Sequence, residues 1–295
     1  VSRRGLVLFV ALCIIWGLPY LLIKVAVREV DPGTLVFLRT APVAVVMVPW
    51  VVATRGVAAL RTKAGWVAAY ALVEFGVPWL LMTKAEQHLS SSLTALLVAS
   101  VPMVAAFLYR FTHIHEPLGA TRLVGLLLGA GGVALLVGLS LGGSNTIGIV
   151  QMSGVILGYS IGPLIIATKL SELPGTGVVA ASVALVALLY APFGLTHLPS
   201  HVSDETVAAI AVLALVCTAA AFLVFFALIV EVGPARSTVV TYVNPAVAVL
   251  LGIVLLGEHV TPAMLLGFPL IIIGSWLATQ RSTPADGEPV AAIDP

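Results

Sequence analysis

The stretch from Ser90 to Leu136, SSSLTALLVASVPMVAAFLYRFTHIHEPLGATRLVGLLLGAGGVALL, decides the fold because the chain writes its pattern twice. From Glu116 the sequence runs eight residues to Gly125 and six more to Gly132; from Glu258 it runs eight to Gly267 and six to Gly274. Pro102 precedes the first Glu by fourteen residues and Pro245 precedes the second by thirteen, each inside an apolar run of helical length. The beginnings agree as well. Gly17 and Lys24 are separated by six residues, as are Gly162 and Lys169, and the steps Pro32-Gly33 and Pro174-Gly175 follow. The chain reads as a duplication. One repeat covers 1–145 and the other 146–280, with a polar, proline-rich and acidic tail at 281–295 that is expected to be disordered.

Outward from that stretch the composition is that of a membrane protein. Of the 295 residues 60% are hydrophobic and 9% charged, against about 25% charged in soluble domains. A net charge of +1 with no basic block gives no basis for nucleic-acid binding. Cys13 and Cys217 both lie in apolar runs, where a thiol behaves as a small hydrophobe. Ser2-Arg3-Arg4-Gly5 has a twin-arginine look, but the apolar run after it exceeds a signal core and further spans follow, so both arginines read as anchors of the first helix.

A bilayer crossing takes about 20 mostly apolar residues. Ten such runs are predicted, at 5–27, 33–53, 65–86, 91–110, 119–140, 149–170, 175–195, 206–230, 235–256 and 262–280. The fold class is therefore an all-α integral membrane protein. The bias of Lys and Arg in the short loops favours both termini on the cytoplasmic side of a bacterial plasma (inner) membrane. With five spans per repeat, the second copy is expected upside down relative to the first, an inverted-topology repeat whose substrate site lies near the midplane.

Trp16-Gly17 in the first span, Arg39 in the second, Pro102 in the fourth and the two Glu-x8-Gly-x6-Gly endings resemble the EamA-type transporters of the drug/metabolite transporter superfamily, over about residues 5–280. The resemblance implies a ten-helix, exporter-like carrier. Its central cavity would be lined mainly by the first four helices of each half, with the fifth helix of each half peripheral. It implies a mechanism class and no particular molecule.

Glu74, near the centre of the third span, is the sharpest local feature. An ionisable group there is costly unless it faces the bundle or water, which suits a substrate or proton-coupling site; a carboxyl that permanently pairs and holds helices together is the alternative. Arg39 is its natural partner, with backbone carbonyls or an anionic substrate as other acceptors. Trp16, Tyr20, Trp79 and Tyr242 lie within spans and are candidate substrate-binding rings, packing being the competing role. Lys24, Lys84 and Lys169 lie near helix ends and are expected to snorkel to the interface. Glu116 and Glu258 precede helices and are expected to cap them. Asn244, beside Pro245, leans towards satisfying the backbone that the proline frees.

Gly154, Gly158 and Gly162 make a small-residue face every four residues, so the G-x-S-x-G match at 158–162 reads as helix packing and not as a hydrolase elbow. His113, His115 and Glu116 read as solvated loop residues, and no metal site is expected. No phosphate-binding loop is present, so no ATP-driven transport is expected and no cofactor is called for. The reading is a non-enzymatic secondary transporter that moves a small organic metabolite, amino acid or amphipathic compound by alternating access, with efflux favoured. Its partners are the substrate, the bilayer and, as a candidate, protons. An uncoupled facilitator or channel and a non-transporting scaffold stay open, as do substrate identity and oligomeric state.

Overall fold

The computed structural model describes residues 2–53, 57–111, 119–140, 145–233 and 237–280. The tail, Arg55, His113, His115, Glu116, Arg236 and Arg281 lie outside the described residues. The protein is an all-α membrane protein with, among the described residues, a short helix at Val57–Thr62 and ten longer apolar helices: α1 (Arg3–Ala26), α2 (Pro32–Ala53), α3 (Ala64–Ala85), α4 (Ser91–Tyr109), α5 (Ala120–Ser140), α6 (Asn145–Leu170), α7 (Gly175–Thr196), α8 (Asp204–Val232), α9 (Val240–Leu256) and α10 (Pro262–Thr279). Nine are long and apolar enough to span a bilayer, and α9 is a shorter apolar helix among the described residues. The largest differences from the expected spans are that α6 begins at Asn145 and α9 at Val240.

Local chemistry fixes the boundaries. The side chains of Ser2, Ser90, Ser203 and Thr261 each accept a backbone amide in the first turn of α1, α4, α8 and α10, supplying one of the four donors a helix start leaves orphaned. α9 ends at Gly257 in the left-handed region, φ 65°, where a side chain would be strained. Two helices are wound irregularly at mid-span: Ala71–Gly76 of α3 and Leu215–Ala220 of α8 are π-helical.

The glycines of the duplicated pattern explain their spacing. Residues seven apart fall on one helix face after two turns. That face of α5 meets that face of α10: a Cβ on Gly132 would lie 2.7 Å from the Gly267 carbonyl oxygen, and one on Gly274 would lie 2.7 Å from that of Gly125. The two helices thus touch backbone to backbone, as small residues permit in lipid. Elsewhere α2 packs on α7, α1 on α8 and α9, and α3 on α6. The core divides into a cluster around α1, α4 and α6, a second around α2, α3 and α7, and a smaller one where α1 meets α8 and α9.

Candidate functional site

Arg39 projects from the middle of α2 and is 7% exposed. Its Nε donates to Thr218 Oγ1 at 3.0 Å, and its guanidinium carbon lies 3.5 Å from the centroid of the Trp79 ring. Both partners come from the irregular helices. Thr218 sits in the π-helical segment of α8 and donates its own hydroxyl to the Leu213 carbonyl at 2.9 Å. Trp79 follows the π-helical segment of α3, whose Gly76 carbonyl accepts the Tyr190 hydroxyl at 3.0 Å. A π turn inserts a residue and leaves carbonyls out of register, and here a threonine and a tyrosine take them up.

The expected Arg39–Glu74 pair is not formed. Among the described residues Arg39 has no carboxylate partner, and Glu74 Oε2 is buried without a hydrogen-bond partner. The reason is angular. Trp79 lies five residues on from Glu74, beyond the π turn, and while its ring faces Arg39 the Glu74 carboxyl faces α6. It lies against Gly162 of α6, where a Cβ would overlap Oε2. The small-residue face of α6 is what lets α3 approach: Cβ atoms on Gly154 and Gly158 would lie 2.6 Å from Leu81 and 2.5 Å from the Val73 carbonyl oxygen. Ser160 donates to the Ile156 carbonyl of its own helix at 2.7 Å, in keeping with packing.

Two of the aromatic candidates, Trp79 and Trp16, belong to a train of rings. Trp79 and Phe75 have centroids 5.1 Å apart, Phe75 and Phe222 5.8 Å, Phe222 and Trp16 6.2 Å, and Trp16 and Phe225 5.0 Å. α1, α3 and α8 are thereby joined through rings beside Arg39. Tyr20 is buried, and its hydroxyl and that of Tyr159 lie within electrostatic reach of the guanidinium. Tyr242 is apart: its hydroxyl is 2.9 Å from Thr279 Oγ1 at the end of α10, and no ring contact or hydrogen bond joins it to Arg39, Glu74 or Trp79.

A second polar group lies at the end of the bundle away from the termini. Lys24 does not snorkel. Its Nζ donates to the carbonyls of Glu86 at 2.5 Å and Leu89 at 2.6 Å, because carbonyls just past the end of α3 need donors and a helix C-terminus favours a cation. Lys169 ends near the face of Trp66, 5.2 Å from its centroid. Glu258 caps a helix, as expected, but not the next one: Thr261 caps α10, while Glu258 accepts from the Ser91 and Ser92 amides and the Ser92 hydroxyl at the start of α4. Asn244 is buried with Oδ1 unpartnered.

Thr218, Phe75 and Glu86 were not singled out from the sequence. Thr218 is one hydroxyl in an apolar run, and nothing local marks a π turn. Glu86 stands in Lys84-Ala85-Glu86-Gln87, which reads as a polar loop edge.

Comparison with known proteins matches the chain to one family. The EamA-like transporter family model matches residues 3–138 and again 146–280. The chain is 30% identical over 291 residues to the uncharacterized inner membrane transporter YedA of Escherichia coli K12, covering 96% of this chain and 92% of that one. It is 23% identical over 287 residues to the uncharacterized transporter YvbV of Bacillus subtilis 168, covering 95% and 93%. A solved crystal structure with 21% identity superposes with a TM-score of 0.65, covering 94% of this chain and 98% of the other, and supports the fold alone. A membrane transporter and not an enzyme is what the family and its relatives indicate, and the chain belongs to the EamA-like transporter family.

Proposed function

We propose that this protein is a secondary transporter that carries a small organic solute with an anionic group through the bilayer by alternating access, in the export direction. One observation carries the reading: a permanently charged guanidinium is buried within α2 with a hydroxyl and an aromatic face for company and, among the described residues, no carboxylate within ion-pair distance. A buried charge of that kind calls for a counter-charge, and a solute carboxylate or comparable anion supplies it. Trp79, which stacks on that guanidinium, with Tyr20 and Trp16 are the proposed substrate-binding rings and suit an apolar or aromatic body; Tyr242 is the weakest member of the set. Amino acids and amphipathic acids fit this description.

Two five-helix halves, the second inverted relative to the first, would suit this mechanism. Glu74 is the fourth residue of the π segment in α3, and Thr218 is the fourth residue of the π segment in α8. With helices assigned to halves 1–145 and 146–280, α3 and α8 are counterparts, as are α5 and α10, and their irregularities coincide. The bias of positive residues in the short loops supports both termini in the cytoplasm. Glu74, half-buried with its Oε2 sealed and without a hydrogen-bond partner, is the proton-coupling candidate.

The test is uptake into proteoliposomes of a panel of carboxylates, each beside its neutral amide, with and without a pH gradient, for wild type, Arg39→Gln and Glu74→Gln. The reading expects carboxylates alone to move, Arg39→Gln to abolish movement, and Glu74→Gln to exchange the solute without concentrating it. Equal movement of acid and amide, unaffected by Arg39→Gln, overturns the anion site. Gradient-independent transport by wild type and Glu74→Gln alike would make the protein an uncoupled facilitator.

A further inference from the structure

Glu86 follows α3 by one residue and is 0% exposed, and neither carboxyl oxygen has a hydrogen-bond partner. Its neighbours are already engaged. On α1, Lys24 spends its ammonium on two backbone carbonyls, one of them Glu86's own. On α2, Arg39 is turned to Thr218 and Trp79. In the α9–α10 connection, Glu258 accepts three hydrogen bonds from Ser91 and Ser92 and adds negative charge beside Glu86. Tyr20 of α1 also lies within electrostatic reach, while Lys84 on the same turn is exposed and His88 half-buried.

We infer that Glu86 is a proton-binding site separate from Glu74, its carboxyl sealed just past the end of α3 with no donor at either oxygen and the Lys24 ammonium held by backbone carbonyls. A carboxylate with no donor at either oxygen, sealed from water, costs several kcal/mol; a proton removes that cost. Burial accordingly pushes the Glu86 carboxyl well above the usual carboxylate range, Lys24 drawing it down, Glu258 adding to the rise and Arg39 drawing it down. The link to transport rests on the carrier reading above. An anion that neutralises Arg39 removes one of the two cations opposing the proton, so solute and proton bind with positive linkage, and each raises the affinity for the other by the same factor.

The site itself is tested without any solute, by pH-difference infrared spectroscopy of the purified full-length protein. Wild type should show a buried protonated-carboxyl band that Glu86→Gln removes and Glu74→Gln leaves in place. Should Glu86→Gln fail to fold, the neighbours carry the test. Lys24→Gln and Arg39→Gln should each raise the midpoint of that band, by about one pH unit or more for Lys24→Gln, and Glu258→Gln should lower it. A band unchanged by Glu86→Gln, or a midpoint unmoved by all three neighbouring variants, overturns the assignment. Failure of every solute to move in liposomes would sink the carrier reading and leave this result standing.

Discussion

Glu258 reaches across from the end of α9 to Ser92 at the start of α4, accepting its amide at 3.0 Å and its hydroxyl at 2.5 Å, with the Ser91 amide at 2.7 Å. A carboxylate at a helix N-terminus both satisfies orphan donors and meets the positive end of the macrodipole. Losing a cap of this sort costs about 1–2 kcal/mol. Glu258→Ala should therefore lower the thermal midpoint in detergent measurably. Glu258→Gln, which keeps acceptors but not charge, should fall between it and wild type. A midpoint for Glu258→Ala equal to wild type would show that the contact is not holding α4 to α9.

The stacked guanidinium gives a prediction of a different kind. Arg39→Lys keeps the charge but loses the planar group that lies on Trp79 and the Nε donor that reaches Thr218. A desolvated cation–π contact is worth about 2 kcal/mol, so Trp79→Leu should weaken apparent solute affinity about tenfold or more through a misplaced Arg39. Thr218→Val, which removes one hydrogen bond, should do so more mildly. Concentration dependence of liposome uptake reads all three, and an order of effects with Thr218→Val as the severest would contradict the stacking account.

The apolar helices were legible because lipid imposes their length, and the glycines seven apart on α5 and α10 were legible as a contact face. What could not be read was direction around a helix. Arg39 and Glu74 seemed natural partners by depth, but depth along the membrane normal says nothing of angle. The π turns in α3 and α8 rotate everything after them, and no residue at 71–76 or 215–220 announces the extra turn. Lys24 was misread for a related reason. A lysine near a helix end snorkels unless buried carbonyls need it, and those of Glu86 and Leu89 belong to a connection distant in sequence. Glu258 was legible as a cap because Glu before a helix is a local signal; which helix it caps was settled only by packing.

Glu29 offers a test of the contact between the α1–α2 and α7–α8 connections. Its carboxylate accepts the Ser203 amide at 2.8 Å and the Ser203 hydroxyl at 3.1 Å. The Ser203 backbone amide, and then its hydroxyl, hold the Glu29 carboxyl below its ordinary 4.5. A depressed folded value means stability present above 4.5 and lost as pH falls through the lowered value. Glu29→Gln should flatten the fall in thermal midpoint below pH 4.5, by a small amount since the group is exposed. An acid-range profile identical to wild type would show that the contact contributes nothing to folding.

Gly162 and Gly131 make a matched pair for the packing of α3 on α6. A Cβ at Gly162 would strike the Glu74 carboxyl, whereas one at Gly131 would meet nothing within 4 Å. Alanine is the better helix former by about 1 kcal/mol, so Gly131→Ala should be neutral or slightly stabilising. Gly162→Ala must instead push Glu74 aside or part the helices, at a cost of about 1–3 kcal/mol. If Glu74 is what yields, Gly162→Ala combined with Glu74→Ala should recover most of the lost midpoint, because the colliding side chain is gone. Should the double variant stay as unstable as the sum of the two, the strain lies in the backbone approach of α3 to α6, which Gly158 shares through the Val73 carbonyl.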